Sequence, residues 1–322
     1  MSNTPESPWS PGATNHRAGT VALVGRPNAG KSTLLNQILG THLAIVSDKP
    51  QTTRNRVVGV HTAPDYQIVF VDTPGIHDAR GRMNRAMVEV ARGAMGEVDT
   101  VCWVIDGERA VEQAKANAPI LHRGLDTVKE MLAQVGPPPT VIAINKADRC
   151  PKPWLLPVIA ELSTILPNVE VVPISARTGD GVPELLNLLS ARLPIKPALH
   201  TAETVTTNPE RFVIGELIRE KVFHLTWQEV PYGTAVEVER MEEEEAEGGG
   251  TRTAIYARIF VEREGQKGVI IGKGGVMLRE IGTRARKDIA AMLGTRVYLE
   301  LHVSVVDRWT ENARILREQG IE

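Results

Sequence analysis

An α/β fold with a mainly parallel sheet, followed by a smaller α+β domain, is predicted by three features of the sequence. From Thr20 to Ile174, apolar runs of strand length alternate with segments whose apolar residues recur at helical spacing, the pattern of strands joined by crossover helices. Around residue 200 the alternation stops: Pro194, Pro197 and a polar stretch ending at Pro209 disfavour regular structure. Beyond it the order becomes helix, two strands, helix, helix, strand. At 322 residues the chain has room for two domains. They are predicted over 19–193 and 210–306, with a disordered lead-in at 1–18, a linker at 194–209 and a tail at 307–322.

Composition narrows the class. Hydrophobic residues at 42% and charged residues at 24% are those of a globular protein that buries a core. The net charge of −2 does not advertise a polyanionic partner, although a whole-chain sum hides a local basic face. No apolar run approaches the roughly 20 residues that a membrane span requires. The Ser-, Pro-, Asn- and Thr-rich stretch from Met1 to Ala18 has no apolar segment of the kind that directs secretion. Cys102 lies in an apolar run and Cys150 beside a polar loop, so a reduced cytoplasm is favoured over a disulfide framework. The eight histidines lack ligand spacing, His77 reads as a solvated loop residue, and no metal site is expected from the protein alone.

The first strand, Thr20 to Val24, runs into Gly25, Arg26, Pro27, Asn28, Ala29, Gly30, Lys31 and Ser32, and Ser32, Thr33 and the residues to Leu39 continue at helical spacing. Gly-x4-Gly-Lys-Ser between a strand and a helix is a phosphate cradle. The glycines let successive backbone N–H groups converge and the helix N-terminus adds partial positive charge, so an anion is the natural occupant. Lys31 then reaches the β and γ phosphates of a nucleotide, and the Ser32 hydroxyl joins the shell of a bridging Mg²⁺. Asn28 either helps to hold a monovalent cation, K⁺, near the phosphates or fixes the loop by hydrogen bonds.

The polar segment Ser47 to Arg54 reads as a mobile loop in which a Thr hydroxyl binds Mg²⁺ while a γ-phosphate draws the loop inward. Thr52 and Thr53 are the candidates, with Thr53 preferred. Strands at 56–61 and 67–71 follow, the second ending in Asp72, Thr73, Pro74 and Gly75. Asp72 there holds a water of the Mg²⁺ shell, and Gly75 offers its N–H to the γ-phosphate. Next comes Ile76, an apolar residue where many GTPases carry a water-orienting glutamine, so slow intrinsic turnover is expected. A helix at 82–95, a strand at 100–105, helices around 110–135 and a strand at 139–144 lead to Asn145, Lys146, Ala147 and Asp148. Asp148 accepts from the guanine N1–H and 2-amino groups, which adenine lacks; Asn145 meets the ring edge and ties this loop to the cradle; Lys146 lays its stem over the ring. A last strand at 169–174 precedes Ser175, Ala176 and Arg177, where the Ala176 N–H meets guanine O6, and a helix at 185–192 closes the half.

In the second half, a helix at 210–224 precedes strands at 234–239 and 253–261, an antiparallel hairpin whose tip, Glu242 to Glu245 with Glu247 and Gly248 to Gly250, reads as a solvated loop. A second glycine loop, Ile271, Gly272, Lys273, Gly274 and Gly275, opens a helix running through Lys287, and 296–305 is the closing strand. Lys267, Lys273, Arg279, Arg284, Arg286 and Lys287 stand in this stretch against the single acid Glu280. A Gly-x-x-Gly turn brings backbone N–H groups close to a sugar-phosphate chain and the cations add a salt-dependent pull, which predicts an RNA-binding surface. The alternative is a degenerate fold used as a protein contact.

The order cradle, mobile Thr, Asp-Thr-Pro-Gly, Asn-Lys-Ala-Asp and Ser-Ala resembles the translation-factor-related GTPases, and the second half resembles a KH domain of the bacterial element order. Together with the Pro-broken linker, and with the stretches 212–221, 261–267 and 307–309, they resemble the KH-bearing bacterial members of that GTPase family over nearly all of the chain after residue 18. The resemblance implies a P-loop GTPase domain with GTP or GDP and Mg²⁺ as ligands, followed by a KH domain. It also implies a small-subunit ribosome assembly factor whose KH domain holds single-stranded RNA near the 3′ end of the small-subunit ribosomal RNA. A cytoplasmic monomer is expected, with no DNA partner; peripheral contact with the inner face of the cell membrane is left open. The chain then reads as a GTP-hydrolysing, RNA-binding switch. The rival is a constitutive RNA- or ribosome-docking protein with a structural nucleotide site, for which Ile76 is the best support; a P-loop ATPase is argued against by Asn145 to Asp148.

Overall fold

A computed structural model describes residues 15–76, 81–116, 118, 140–245 and 249–321. The chain divides into two compact units, one of residues 1–44, 53–78 and 88–207, the other of 45–52, 79–87 and 208–322.

The first unit is built on β1 (Arg17–Val24), α1 (Lys31–Leu39), β2 (Val57–Thr62), β3 (Tyr66–Asp72), the part of α2 (Arg82–Gly96) from Val88 onward, β4 (Thr100–Asp106), α3 (Gly107–Lys115), β5 (Thr140–Asn145), α4 (Lys152–Ile165), β6 (Glu170–Pro173) and α5 (Val182–Ser190). Its sheet has the order β2-β3-β1-β4-β5-β6, and β2 alone runs antiparallel to its neighbour. Helices cover both faces of a parallel sheet, so a central strand is buried on both sides and reads as a continuous apolar run. β4 does so from Val101 to Ile105. Trp103 and Ile142 share one core cluster with Ile76, Met95 and Leu162.

Several expected boundaries move. The lead-in expected through residue 18 ends earlier, because Arg17 already pairs with Tyr66 in the β1 ladder and Ala18 is buried. The expected linker is packed: the Gln67 side chain accepts the Leu199 and His200 amides at 2.7 and 2.8 Å, and Thr206 bridges to Gly59. The helix expected at 185–192 starts at Val182, after Gly181 in the left-handed region, and stops at Ser190. Of the helices expected around 110–135, α3 is seen and the remainder, like His77 and Pro139, lies outside the described residues.

The second unit comprises α6 (Glu210–Leu225), β7 (Ala235–Glu245), β8 (Thr251–Val261), α7 (Glu264–Ile271), α8 (Val276–Leu293), β9 (Arg296–Val305) and α9 (Ala313–Glu318). β7 and β8 are antiparallel, with a bulge between Val238 and Arg240, and β9 runs parallel to β8 from Arg252↔Arg296 to Val261↔Val305. The parallel pair is possible because α7 and α8 form the crossover. Ile214, Ile218, Ile255, Ile259, Ile281 and Ile289 centre the core.

The acidic hairpin tip and the tail are corrected here. Glu242 to Glu245 extend β7 instead of forming a loop, since Arg252 pairs with Glu244 at 2.9 Å and Arg240 with Glu242 at 3.6 Å; Glu247 and Gly248 lie outside the described residues. The expected tail is core: Trp309 is fully buried, donates its indole N–H to the Gly233 carbonyl at 2.9 Å, and packs with Met87, Phe260 and Leu316.

Candidate nucleotide and RNA sites

Because β1, β3, β4, β5 and β6 run parallel, their carboxyl ends bring Gly25, Asp72, Asp106, Asn145 and the Ser175 segment to one edge of the sheet, where α/β proteins place their ligands. Two cradle glycines are required by packing. At Gly30 (φ +94°) a Cβ would lie 2.1 Å from Asn145 Nδ2, and at Gly25 it would lie 2.3 Å from the Val104 carbonyl oxygen. Lys31 is buried and its Nζ donates to the Gly25 and Arg26 carbonyls at 3.3 and 3.2 Å. Burial lowers its pKa, against the opposing pull of Asp72. Pro27 meets Gly75, where an added Cβ would lie 2.6 Å from the proline nitrogen. Ala29 is buried, Thr33 is half-buried, and Asn28 is exposed with φ +62°, a left-handed conformation that Asn tolerates.

Ser32, Thr53 and Asp72 meet. Ser32 Oγ donates to Asp72 Oδ2 at 2.7 Å, Thr53 Oγ1 donates to the same oxygen at 3.1 Å, and the two hydroxyls are 2.9 Å apart. Burial raises the Asp72 pKa, against the lowering effects of Lys31 and the two hydroxyls. Its other oxygen, Oδ1, is buried with no hydrogen-bond partner. A hard cation takes oxygen ligands of this type, so these residues fit Mg²⁺. No group of three or more His, Cys, Asp and Glu side chains able to hold a metal occurs among the described residues. Thr52, the other candidate, turns its carbonyl to Arg219. Thr73 Oγ1 donates to the Leu23 carbonyl at 2.8 Å, and Pro74 is buried. Ile76 points away from the cradle's polar groups: its side chain is fully buried in the sheet core, and its N–H donates to the Gly25 carbonyl at 3.0 Å.

The residues expected to select the base lie close together and are tied by hydrogen bonds and ion pairs. Asn145 donates through Nδ2 to the Ala29 carbonyl and accepts the Ala176 N–H at Oδ1, both at 2.8 Å, and so ties three loops together. The Ala176 N–H expected at guanine O6 is therefore engaged by Asn145. Lys146 (φ +65°) pairs with Asp106 at 2.6 Å. Asp148 pairs with Arg177 at 2.6 Å, and Ser175, nearly fully buried, accepts the Thr178 N–H at 3.2 Å. Burial works to raise the Asp148 pKa, but hydrogen bonding from Ser175 and the charge and hydrogen bond of Arg177 hold it below its ordinary value.

In the second unit, α7 ends at Gly272 after Ile271, and Gly272, Gly274 and Gly275 have φ of +71°, +63° and +78°, so the loop depends on glycine backbone freedom. Lys273 and Arg279 are exposed, as are Arg284, Arg286 and Lys287 farther along α8, while Lys267 on α7 is half-buried. Arg284 pairs with Glu280 at 2.7 Å. Arg284, Arg286 and Lys287 also line an open basin of about 790 Å³ with Arg252, Arg296 and Tyr298.

Comparisons with known proteins fit this geometry. Residues 20–146 match the family described as 50S ribosome-binding GTPase, and residues 229–310 match the KH domain. The GTPase Era of Geobacter sp. (strain M21) is 47% identical over 306 residues, covering 95% of this chain and 98% of the relative. The GTPase Era of Nitratidesulfovibrio vulgaris (strain DP4) is 43% identical over 309 residues, 96% of this chain and 98% of the relative. The chain belongs to the GTPase Era family. It is a GTPase that uses GTP and Mg²⁺, with the P-loop and KH architecture of that family. A solved Aquifex aeolicus Era variant bound to GDP.AlF4⁻ superimposes with a TM-score of 0.87 at 37% identity, covering 95% of this chain and 99% of that one. The same values hold for Era in complex with MgGDPNP and nucleotides 1506–1542 of 16S ribosomal RNA.

Sequence reasoning missed four residues of this Era-family chain. Asp106 anchors Lys146, a partnership that follows from the Asp106↔Asn145 register of parallel strands. Arg252, Arg296 and Tyr298 join the basic helix only through the β8–β9 pairing: Arg252 lies 4.9 Å over the Tyr298 ring, and nothing local in the sequence signals that.

Proposed function

We propose that GTP and Mg²⁺ bind at the cradle, that Thr53 reports the nucleotide state, and that the glycine loop and α8 hold the single-stranded 3′ end of small-subunit ribosomal RNA during assembly of the small ribosomal subunit. The observation that carries the reading is the convergence of Ser32, Thr53 and Asp72, which joins the polar 47–54 loop to the phosphate site. Mg²⁺ would be held by Ser32, Thr53 and, through water, Asp72, and when bound it offsets charge on the β and γ phosphate oxygens. Lys31 leaves its carbonyl partners for phosphate, the Gly75 N–H meets the γ-phosphate, and Asn28 helps to hold K⁺. With Ile76 in the core, the water is oriented by backbone groups or a partner, and turnover is slow without one. Asp148 and Asn145, with Lys146 and the Ser175–Ala176–Arg177 turn, select guanine.

Arg279, Arg286 and Lys287 form no ion pair among the described residues, which leaves them to phosphates, and the likeness to an Era solved with 16S ribosomal RNA supports that partner. No helix among the described residues is long and apolar enough to cross a membrane. A cytoplasmic monomer is part of the proposal, and the two free, buried cysteines support a reducing compartment. The test crosses two variants. Gly274→Asp should abolish binding of a 3′-end ribosomal RNA oligonucleotide and leave GTP affinity nearly unchanged, while Lys31→Ala does the reverse. Loss of both affinities in either variant would sink the assignment of separate sites.

A further inference from the structure

The second unit contains a run of buried charge that neither ligand site uses. On α6, Arg219, Glu220 and Lys221 are 3%, 1% and 7% exposed. Lys221 Nζ lies 2.5 Å from Glu220 Oε2 and 2.5 Å from Asp288 Oδ2, and Asp288 stands on α8 beside Lys287. The other Glu220 oxygen accepts the backbone N–H of Val46 at 3.3 Å. Arg219, paired with Glu216 at 2.6 Å, donates to the Thr52 carbonyl, which belongs to the peptide linking Thr52 to Thr53. Lys49 donates to the Phe223 carbonyl and, at 2.5 Å, to that of Thr226. Segment 45–52 is thus held by α6 near both of its ends.

Burying this much charge carries a desolvation cost that apolar side chains of similar volume avoid, and buried ionic groups are weak contributors to stability. Their best-attested use is in fixing one arrangement against another. Lys221 divides one ammonium between two carboxylates, so a weaker hold on Asp288 means a stronger hold on Glu220. We propose that Asp288, Lys221 and Glu220 form a relay through which the α8 surface and the 45–52 segment bias one another, and that Arg219 is a positioning residue for Thr53. RNA phosphate beside Lys287 repels the Asp288 carboxylate, Lys221 turns to Glu220, and the Val46 N–H loses its acceptor. By reciprocity, a nucleotide that fixes Thr53 alters RNA affinity by the same factor.

The relay rests on the reading of α8 as an RNA surface. Asp288 is 42% exposed, so Asp288→Asn leaves the core intact. The full chain, loaded with GDP or with a non-hydrolysable GTP analogue, is titrated with a fluorescent oligonucleotide of the small-subunit ribosomal RNA 3′ end. In the unsubstituted protein the two affinities should differ by about five-fold or more, and in Asp288→Asn by less than about two-fold, with basal hydrolysis unchanged. Hydrogen exchange at the Val46 amide should respond to the oligonucleotide only in the unsubstituted protein. An undiminished affinity ratio in Asp288→Asn, or equal affinities in the unsubstituted protein, overturns the relay while the RNA surface stands. No oligonucleotide binding in either state overturns both. Arg219→Lys keeps the charge but loses the planar fork; it should lower kcat with KM for GTP unchanged, and an unaltered kcat overturns the positioning role.

Discussion

Asn145 shows how much of a site one side chain organises. Its amide satisfies the buried Ala29 carbonyl and Ala176 N–H, so Asn145→Ala leaves both unpaired. Each costs about 1–3 kcal/mol, and thermal unfolding together with GTP titration should show a destabilised protein whose affinity has fallen about ten-fold or more. Asp148→Asn exchanges acceptors for a donor, and preference should move from guanosine to xanthosine triphosphate; an unchanged preference would refute the guanine assignment. The sign of the Asp148 shift fixes its pH behaviour. A carboxyl whose folded pKa is depressed gives stability that is complete above its unfolded value, about 3.9, and is lost as pH falls through the lower folded value. The stability gap between the protein and Asp148→Asn should therefore hold at neutral pH and close only in that acid range, and a gap that does not change down to pH 3 would contradict it. Burial pushes the Cys102 thiol up to about 12, and burial, then Glu108, raises that of Cys150. A thiol reagent at pH 8 should label neither until the protein unfolds. The gathering of these residues at one edge of the sheet was legible because each motif has a fixed local spacing at the end of a strand. Asp106 was not, because its partnership with Lys146 depends on which strands lie side by side.

At the scale of elements, the second glycine loop separates fold from function. A Cβ at Gly272 would sit 2.8 Å from Met277 Cβ with φ at +71°, whereas nothing lies within 4 Å of one at Gly274. Gly272→Ala should therefore lower thermal stability, while Gly274→Asp, in a left-handed conformation that Asp tolerates, should fold and lose RNA. If both variants melted alike, the loop's two glycines would be doing the same structural work. The strands were readable from apolar runs and alternation, and β9 begins and ends where its pattern does. The acidic end of β7 was not. Glu242 to Glu245 repel one another when read along the chain, and only the antiparallel pairing with β8 supplies Arg252. Charge patterns read locally favour loops, and cross-strand partners overturn them.

At the scale of the whole molecule, what was hidden lay at long sequence separation. Trp309 looked like part of a tail because its hydrogen-bond acceptor, Gly233, lies 76 residues away. Trp309→Ala should cost about 3–5 kcal/mol, seen as an earlier unfolding transition of the full chain, and an unshifted transition would contradict its core role. The division of the first half was equally hidden: residues 45–52, which include most of the loop ahead of Thr53, and 79–87, which follow the Asp-Thr-Pro-Gly turn, belong to the second unit. Helix–strand alternation and the two glycine loops nonetheless made the GTPase and KH architecture legible, because both depend on short-range patterns. The central claim is that the two loops belong to one switch, and GTP hydrolysis by the full chain tests it most directly, with and without the small-subunit ribosomal RNA 3′-end oligonucleotide, in K⁺ and again in Na⁺. The account predicts slow turnover that the RNA stimulates, more strongly in K⁺. Background turnover in every mixture, with GTP and RNA both bound, would contradict it and leave a static docking protein.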